Sequence, residues 1–126
     1  MPLTFDLEEG VGVFRSSGEV DYQEAMQVYQ GGLDALVERN DPVSLVLFDL
    51  LESNENRSQA ELRAIVDAAR RSLGEARMAL LARSELLYGL SRMFSAFAEQ
   101  AGFDVEVFKR RDEALSWLHG GPGPSD

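Results

Sequence analysis

The chain has 126 residues, 44% hydrophobic and 27% charged, which suits one globular domain with one core and excludes disorder of the whole chain. Its 22 acidic residues against 12 basic ones give a net charge of -10, a field that repels nucleic-acid backbones and anionic membrane surfaces. There is no cysteine, which removes disulfides, thiolate metal sites and a cysteine nucleophile together and fits a reducing compartment.

The first residues, Met1-Pro2-Leu3-Thr4-Phe5-Asp6, have neither a basic start nor an apolar run, so no signal peptide is expected. No stretch approaches the ~20 apolar residues of a membrane span. The expected location is the cytoplasm, without membrane insertion.

Leu3, Phe5 and Leu7 alternate with polar residues, the period of a half-buried strand. Glu9-Gly10 signals a turn, and a second strand runs from Val11 to about Ser17, completing a hairpin. Asp21 offers an N-cap with Glu24 three residues on. Tyr22, Ala25, Met26, Tyr29, Leu33, Leu36 and Val37 recur at helical spacing, predicting a helix that ends near Arg39 at Asn40-Asp41-Pro42. Gly31-Gly32 weakens that helix by roughly 1 kcal/mol per glycine, which predicts a kink or a close approach to a sheet.

Val43 to Leu51 is a near-continuous apolar run, as in a strand covered on both faces. Glu52 to Arg57 is a polar loop. Ser58-Gln59-Ala60-Glu61 is a capping box, and Leu62, Ile65, Val66, Ala69 and Leu73 form the buried face of the next helix. Gly74 stands where a helix end favours a left-handed residue. The pattern then repeats. Met78 to Ala82 is a strand, and Ser84 caps a helix carrying Leu87, Leu90, Phe94, Phe97, Ala98 and Ala101, ended by Gly102. Phe103, Val105 and Val107 alternate as a last strand, and Asp112 caps a short helix with Leu115 and Leu118 inside. Trp117 is expected to be buried beneath that helix. The tail Gly120 to Asp126 is too rich in glycine and proline to be ordered. The order ββαβαβαβα predicts a single α/β domain over residues 1–119. Its five-stranded sheet is mostly parallel with an antiparallel edge, and four helices cover its faces.

Two stretches are suggestive. Ala79-Leu80-Leu81-Ala82-Arg83-Ser84-Glu85-Leu86-Leu87-Tyr88-Gly89-Leu90-Ser91-Arg92-Met93-Phe94 and Val105-Glu106-Val107-Phe108-Lys109-Arg110-Arg111-Asp112-Glu113-Ala114-Leu115-Ser116-Trp117-Leu118 resemble bacterial STAS-like proteins related to the anti-sigma-factor antagonists. The element order over residues 3–119 agrees with that fold. The resemblance implies a small sheet packed by helices, and a protein-protein or small-ligand role without catalysis. It also implies a phosphorylatable serine at the start of the helix after the third strand. Ser53 and Ser58 lie in that neighbourhood, although Asp49 to Ser58 contains no Asp-Ser-Ser-Gly motif.

The residues themselves offer further candidates. His119, the only histidine, sits at the end of the last helix and reads as a cap that meets the macrodipole. No metal site or cofactor is expected. Asp49 and Glu52 fall near the end of a central strand, where carboxylates can do acid-base work or hold a cation, but they read as a solvated loop start. Arg57, Arg83, Lys109, Arg110 and Arg111 all fall in strand-to-helix loops. With the helix starts at Ser58, Ser84 and Asp112 they share one sheet edge, a candidate site for a small anion. Glu52, Glu55, Glu85 and Glu113 share those loops and can neutralise them. Tyr88 lies off the apolar face of its helix near the same edge, as a pocket wall or a loop cover. Leu86 and Met93 widen the apolar stripe on the other flank, for packing or for a partner or homodimer surface.

Two functions lead this reading, ahead of an enzyme that would use carboxylates and Tyr88. One is a regulatory module of the STAS type that binds a protein partner. The other is a carrier of a small apolar or anionic ligand at the sheet edge, by loose analogy with CRAL-TRIO lipid carriers. A pocket lined by the second and third helices would favour the carrier; a flat, exposed apolar face would favour the module.

Overall fold

A computed structural model describes residues 2–123; Pro124 to Asp126, part of the tail expected to be disordered, lie outside the described residues. The elements are β1 (Leu3–Glu8), β2 (Val11–Gly18), α1 (Tyr22–Arg39), β3 (Ser44–Ser53), α2 (Gln59–Ser72), β4 (Ala76–Leu81), α3 (Glu85–Gln100), β5 (Asp104–Phe108) and α4 (Arg111–Leu118). The order is the predicted ββαβαβαβα. Glu9 and Gly10 both take positive φ, 52° and 81°, between the paired residues Glu8 and Val11. A two-residue turn of that hand matches strand twist and joins β1 to β2 antiparallel.

The strands lie in chain order β1-β2-β3-β4-β5, with every pair after the first parallel. A sheet that grows in one direction by crossovers of one hand puts each connecting helix on the same face. Accordingly α1, α2 and α3 all cover one face, where Phe14, Val46, Phe48, Met78, Leu80 and Val105 meet Tyr29, Leu33, Ile65 and Phe94. The opposite face carries Val11, Val13, Leu47, Ala79, Leu81 and Phe108, and among the described helices α4 alone covers it, through Ala114, Trp117 and Leu118.

Gly31-Gly32 resolves into two different residues. A Cβ on Gly32 would lie 2.5 Å from the Phe14 ring and 2.6 Å from Phe5, so α1 rides directly on the aromatic cluster of the hairpin. A Cβ on Gly31 would meet nothing within 4 Å. Gly32→Ala should therefore cost about 1–3 kcal/mol by overpacking. Gly31→Ala should stabilise by up to about 1 kcal/mol, from helix propensity alone. Paired denaturant melts check the opposite signs.

Two helix ends differ from expectation. Gly74 is not left-handed: α2 stops when Leu73 turns extended (φ -103°, ψ 147°), its N–H still bonded to Ala69 O, because Leu73 is drawn into the core on the way to β4. Asp112 is not an N-cap: α4 starts one residue earlier, with Arg110 in the cap position and no side-chain cap bond. The Asp112 carboxylate instead takes both Arg110 Nε and Arg110 Nη2, at 3.2 and 3.1 Å. That exposed pair holds the Asp112 carboxyl below, and the Arg110 guanidinium above, its ordinary range. His119 is the C-cap of α4, as expected.

Candidate functional site

Parallel pairing carries the ends of β3, β4 and β5 to one edge of the sheet, and the starts of α2, α3 and α4 with them. The basic residues predicted to hold an anion all arrive there, but their side chains go to different places. Arg57 turns inward: its Nη2 donates to Val20 O at 2.7 Å, its Nε lies 3.5 Å from Glu55, and its guanidinium sits 5.7 Å from the Tyr22 ring centre. Arg111 crosses to the α4 face and pairs with Asp49. Arg83 Nε donates to Lys109 O at 3.2 Å, and Lys109 Nζ lies over the Tyr88 ring at 5.4 Å. Ser84 spends its hydroxyl on Leu87 N–H at 3.1 Å, capping α3. Thus Arg83, Tyr88 and Lys109 share one corner, while Arg57 and Arg111 are bound elsewhere. The parallel strands never reverse order, so the edge lacks the switch-point crevice where such groups converge in doubly wound sheets.

Asp49 departs from its expected place. It is not the solvated start of a loop, because β3 runs on to Ser53 and leaves Asp49 mid-strand on the α4 face. There it is buried between Arg15, whose Nε is 3.5 Å away, and Arg111. Arg15 also reaches Glu8 at 3.5 Å, so the chain of charges ties β1, β2 and β3 to the start of α4. Glu52, by contrast, is exposed.

The two candidate serines lie in opposite settings. Ser53 is buried; its Oγ accepts Glu55 N–H at 3.0 Å and lies 3.2 Å from Ser16 Oγ. Ser58 is exposed at the N-cap of α2, where its Oγ accepts Glu61 N–H at 3.1 Å and its own N–H donates back to Glu61 Oε1 at 2.9 Å. The predicted capping box is therefore closed in both directions.

Sequence reasoning missed the polar knot between these serines. Ser53, Glu55 and Arg57 are buried while Glu52, Asn54 and Asn56 are exposed. The alternation of period 2 is a strand signal, but a hydropathy pattern cannot register it when the inward residues are charged. The Ser16 hydroxyl donates to Glu55, Glu55 faces Arg57, and Arg57 ties the segment to Val20. Beside the knot, Tyr29 is fully enclosed, and burial first, then the Glu55 charge, pushes its phenol well above the ordinary range. Tyr29 should keep its proton in alkaline solution where an exposed tyrosine loses it. The unfolded chain deprotonates from about pH 10, so stability present below that value should fall as pH rises beyond it. Tyrosinate absorbance of native against unfolded protein reads this directly.

Between the knot, α2 and α3 lies a narrow cleft of ≈ 40 Å³ walled by Leu50, Leu62, Leu87, Leu90 and Phe94, with Tyr29, Glu55, Arg57 and Ser91 as its polar residues. Ser91 Oγ is buried in it without a hydrogen-bond partner among the described residues. No group of three or more acidic, histidine or cysteine side chains gathers as a metal site among those residues. No helix there is long and apolar enough to cross a membrane.

These features define a STAS-like fold, the SpoIIAA-like arrangement of a five-stranded mixed sheet with four helices. An anti-sigma factor antagonist from Mycobacterium paratuberculosis superposes with a TM-score of 0.64 at 20% identity, over 93% of this chain and 92% of that one. An uncharacterised protein of the DUF3478 family with a SpoIIAA-like fold, from Shewanella loihica PV-4, superposes with a TM-score of 0.62 at 17% identity, over 92% and 91%. At these identities the likeness is one of fold. No family model and no curated protein matches the sequence.

Proposed function

We propose that the chain is a cytoplasmic, non-catalytic regulatory module that binds a protein partner through the edge formed by the starts of α2 and α3, with Ser58 as its point of control. The observation that carries this reading is the contrast between the serines: Ser53 is sealed in a buried knot, whereas Ser58 stands exposed at a helix start. A phosphate on Ser58 would sit at the positive end of the α2 dipole and add up to about two negative charges to that edge. Leu86, in the first turn of α3, is 53% exposed at the same edge and supplies apolar contact area. One of the solved structures sharing this fold is an anti-sigma factor antagonist, which supports a regulatory role.

The test is peptide mass analysis of the protein purified from its own host, joined to partner capture with Ser58→Asp and Leu86→Glu. Phosphate on Ser58, with capture lost in both variants, supports the reading. A Ser58 that is never modified, with capture unchanged in both, removes it and leaves a helix cap whose loss to alanine costs about 1 kcal/mol.

A second reading, as carrier of a small apolar ligand with a polar head, is favoured by the unpartnered Ser91 hydroxyl in the cleft between α2 and α3. A buried hydroxyl without a partner is costly unless something supplies the bond. Native mass spectrometry of the host-purified protein tests it: an adduct lost in Leu90→Trp supports the carrier, and bare protein in both forms speaks against it.

A further inference from the structure

Arg83, Arg92 and Lys109 make no ion pair among the described residues, although the chain carries nearly twice as many carboxylates as cations. All three gather at one corner. Lys109 Nζ and the Arg92 guanidinium lie 5.4 and 6.0 Å from the Tyr88 ring centre, and Arg83 is tied to the Lys109 carbonyl. Beside them runs a groove of ≈ 400 Å³ between α3 and β5. Tyr88, Arg92, Ser95 and Ala96 form one wall and Val105 and Val107 the other, with Glu99 and Glu106 also lining it. Ser95 Oγ is buried on that wall without a hydrogen-bond partner among the described residues, and the residue is only 9% exposed.

The floor of this groove is an open sheet edge. β5 is paired with β4 alone. Phe108 O accepts Ala82 N–H at 3.0 Å, so Phe108 points its backbone groups inward. By the alternation of a strand, Val105 and Val107 then turn their N–H and C=O groups outward, toward the groove, with Val107 half-buried and Val105, at 4% exposure, largely covered by α3 in the free protein. Such an edge is a template for another strand. A second copy of this chain suits it poorly, because antiparallel pairing about the middle of β5 sets Glu106 directly opposite its twin.

We propose that an extended peptide segment with acidic side chains adds to β5 as a sixth strand. Its backbone pairs with Val105 and Val107, its carboxylates meet Arg92, Lys109 and Arg83, and a polar group of the peptide satisfies Ser95. This rests on the reading of the chain as a protein-binding module, but not on Ser58.

The probe is a capped octapeptide of alternating valine and glutamate, compared with its valine–lysine counterpart. Binding is followed by backbone amide spectra and amide exchange. The expected result is preference for the glutamate peptide by roughly ten-fold or more, weakening with salt. Shifts should centre on Val105 to Phe108 and on the facing turns of α3, with slowed exchange at Val105 and Val107. Arg92→Glu with Lys109→Glu should reverse the preference. Val107→Pro removes an outward N–H while sparing the β4 ladder, and should abolish binding. If that variant unfolds, a glutamate peptide methylated on alternate backbone nitrogens serves instead, and it should fail to bind. Ser58→Asp should leave peptide binding unchanged, which separates this edge from the control point. Equal binding of both peptides, shifts confined to the starts of α2 and α3, or a homodimer occupying β5 would each overturn the proposal.

Discussion

Replacing Glu55 with alanine is expected to lower the unfolding free energy by about 3–5 kcal/mol. Glu55 and Arg57 are each more than nine-tenths buried. Removing the carboxylate leaves an enclosed guanidinium with the Val20 carbonyl and the Tyr22 ring but no counter-charge beside it among the described residues, and takes one of two acceptors, the other being Ser53 Oγ, from Ser16. The penalty is that of an uncompensated buried charge, which exceeds what the intact pair contributes. The double replacement Glu55→Leu with Arg57→Met should therefore recover most of the loss, since no charge then remains to be solvated. Urea melts of the two proteins measure both steps. A loss below about 1 kcal/mol in the single variant would mean that the segment opens and lets water reach Arg57.

Trp117→Ala should cost about 3–5 kcal/mol, the usual range for a large aromatic removed from a core. Trp117 is 6% exposed, as expected from the sequence, and packs its ring 5.7 Å from that of Phe108 with the Arg77 guanidinium 4.2 Å from its centre. The helix that carries it has 8 residues, too few to persist alone in water. Losing its anchor should free α4 and bare Leu47, Ala79 and Leu81 beneath it. Trp117 is the only tryptophan, so the melt must be followed by circular dichroism rather than indole fluorescence. A cost under about 1 kcal/mol would show that Leu118 and Ala114 hold the helix without it.

The hairpin was legible because Leu3, Phe5 and Leu7 alternate and Glu9-Gly10 can take the turn. The parallel strands were legible because Val46 to Phe48 and Met78 to Leu81 have no polar face to show water. Ser58 and Ser84 were identified as caps from the spacing to the residues that follow. These are local constraints, set by residues within a few positions of one another. The core of the STAS-like fold follows from them through the handedness of the crossovers.

The site was less legible. The five basic loop residues Arg57, Arg83, Lys109, Arg110 and Arg111 do reach one edge, yet nothing local says that Arg57 turns inward to Glu55 or that Arg111 crosses to Asp49 on the other face. Asp49 looked like a loop carboxylate because its partners lie 34 and 62 positions away in the chain. Ser95 and Arg92 drew no attention as ligands because their significance depends on which strand lies at the sheet edge.

By itself, then, the sequence determined the elements, their order, the parallel sheet and the burial of Trp117, because hydrophobic period, turn chemistry and capping act over a few residues. Only the tertiary structure decided which charges are paired, which serine is exposed, why Gly32 differs from Gly31, and where an open strand edge meets unpaired cations. Those outcomes depend on contacts between distant segments, and a side chain's partner is set by the whole packed sheet rather than by its neighbours in the chain.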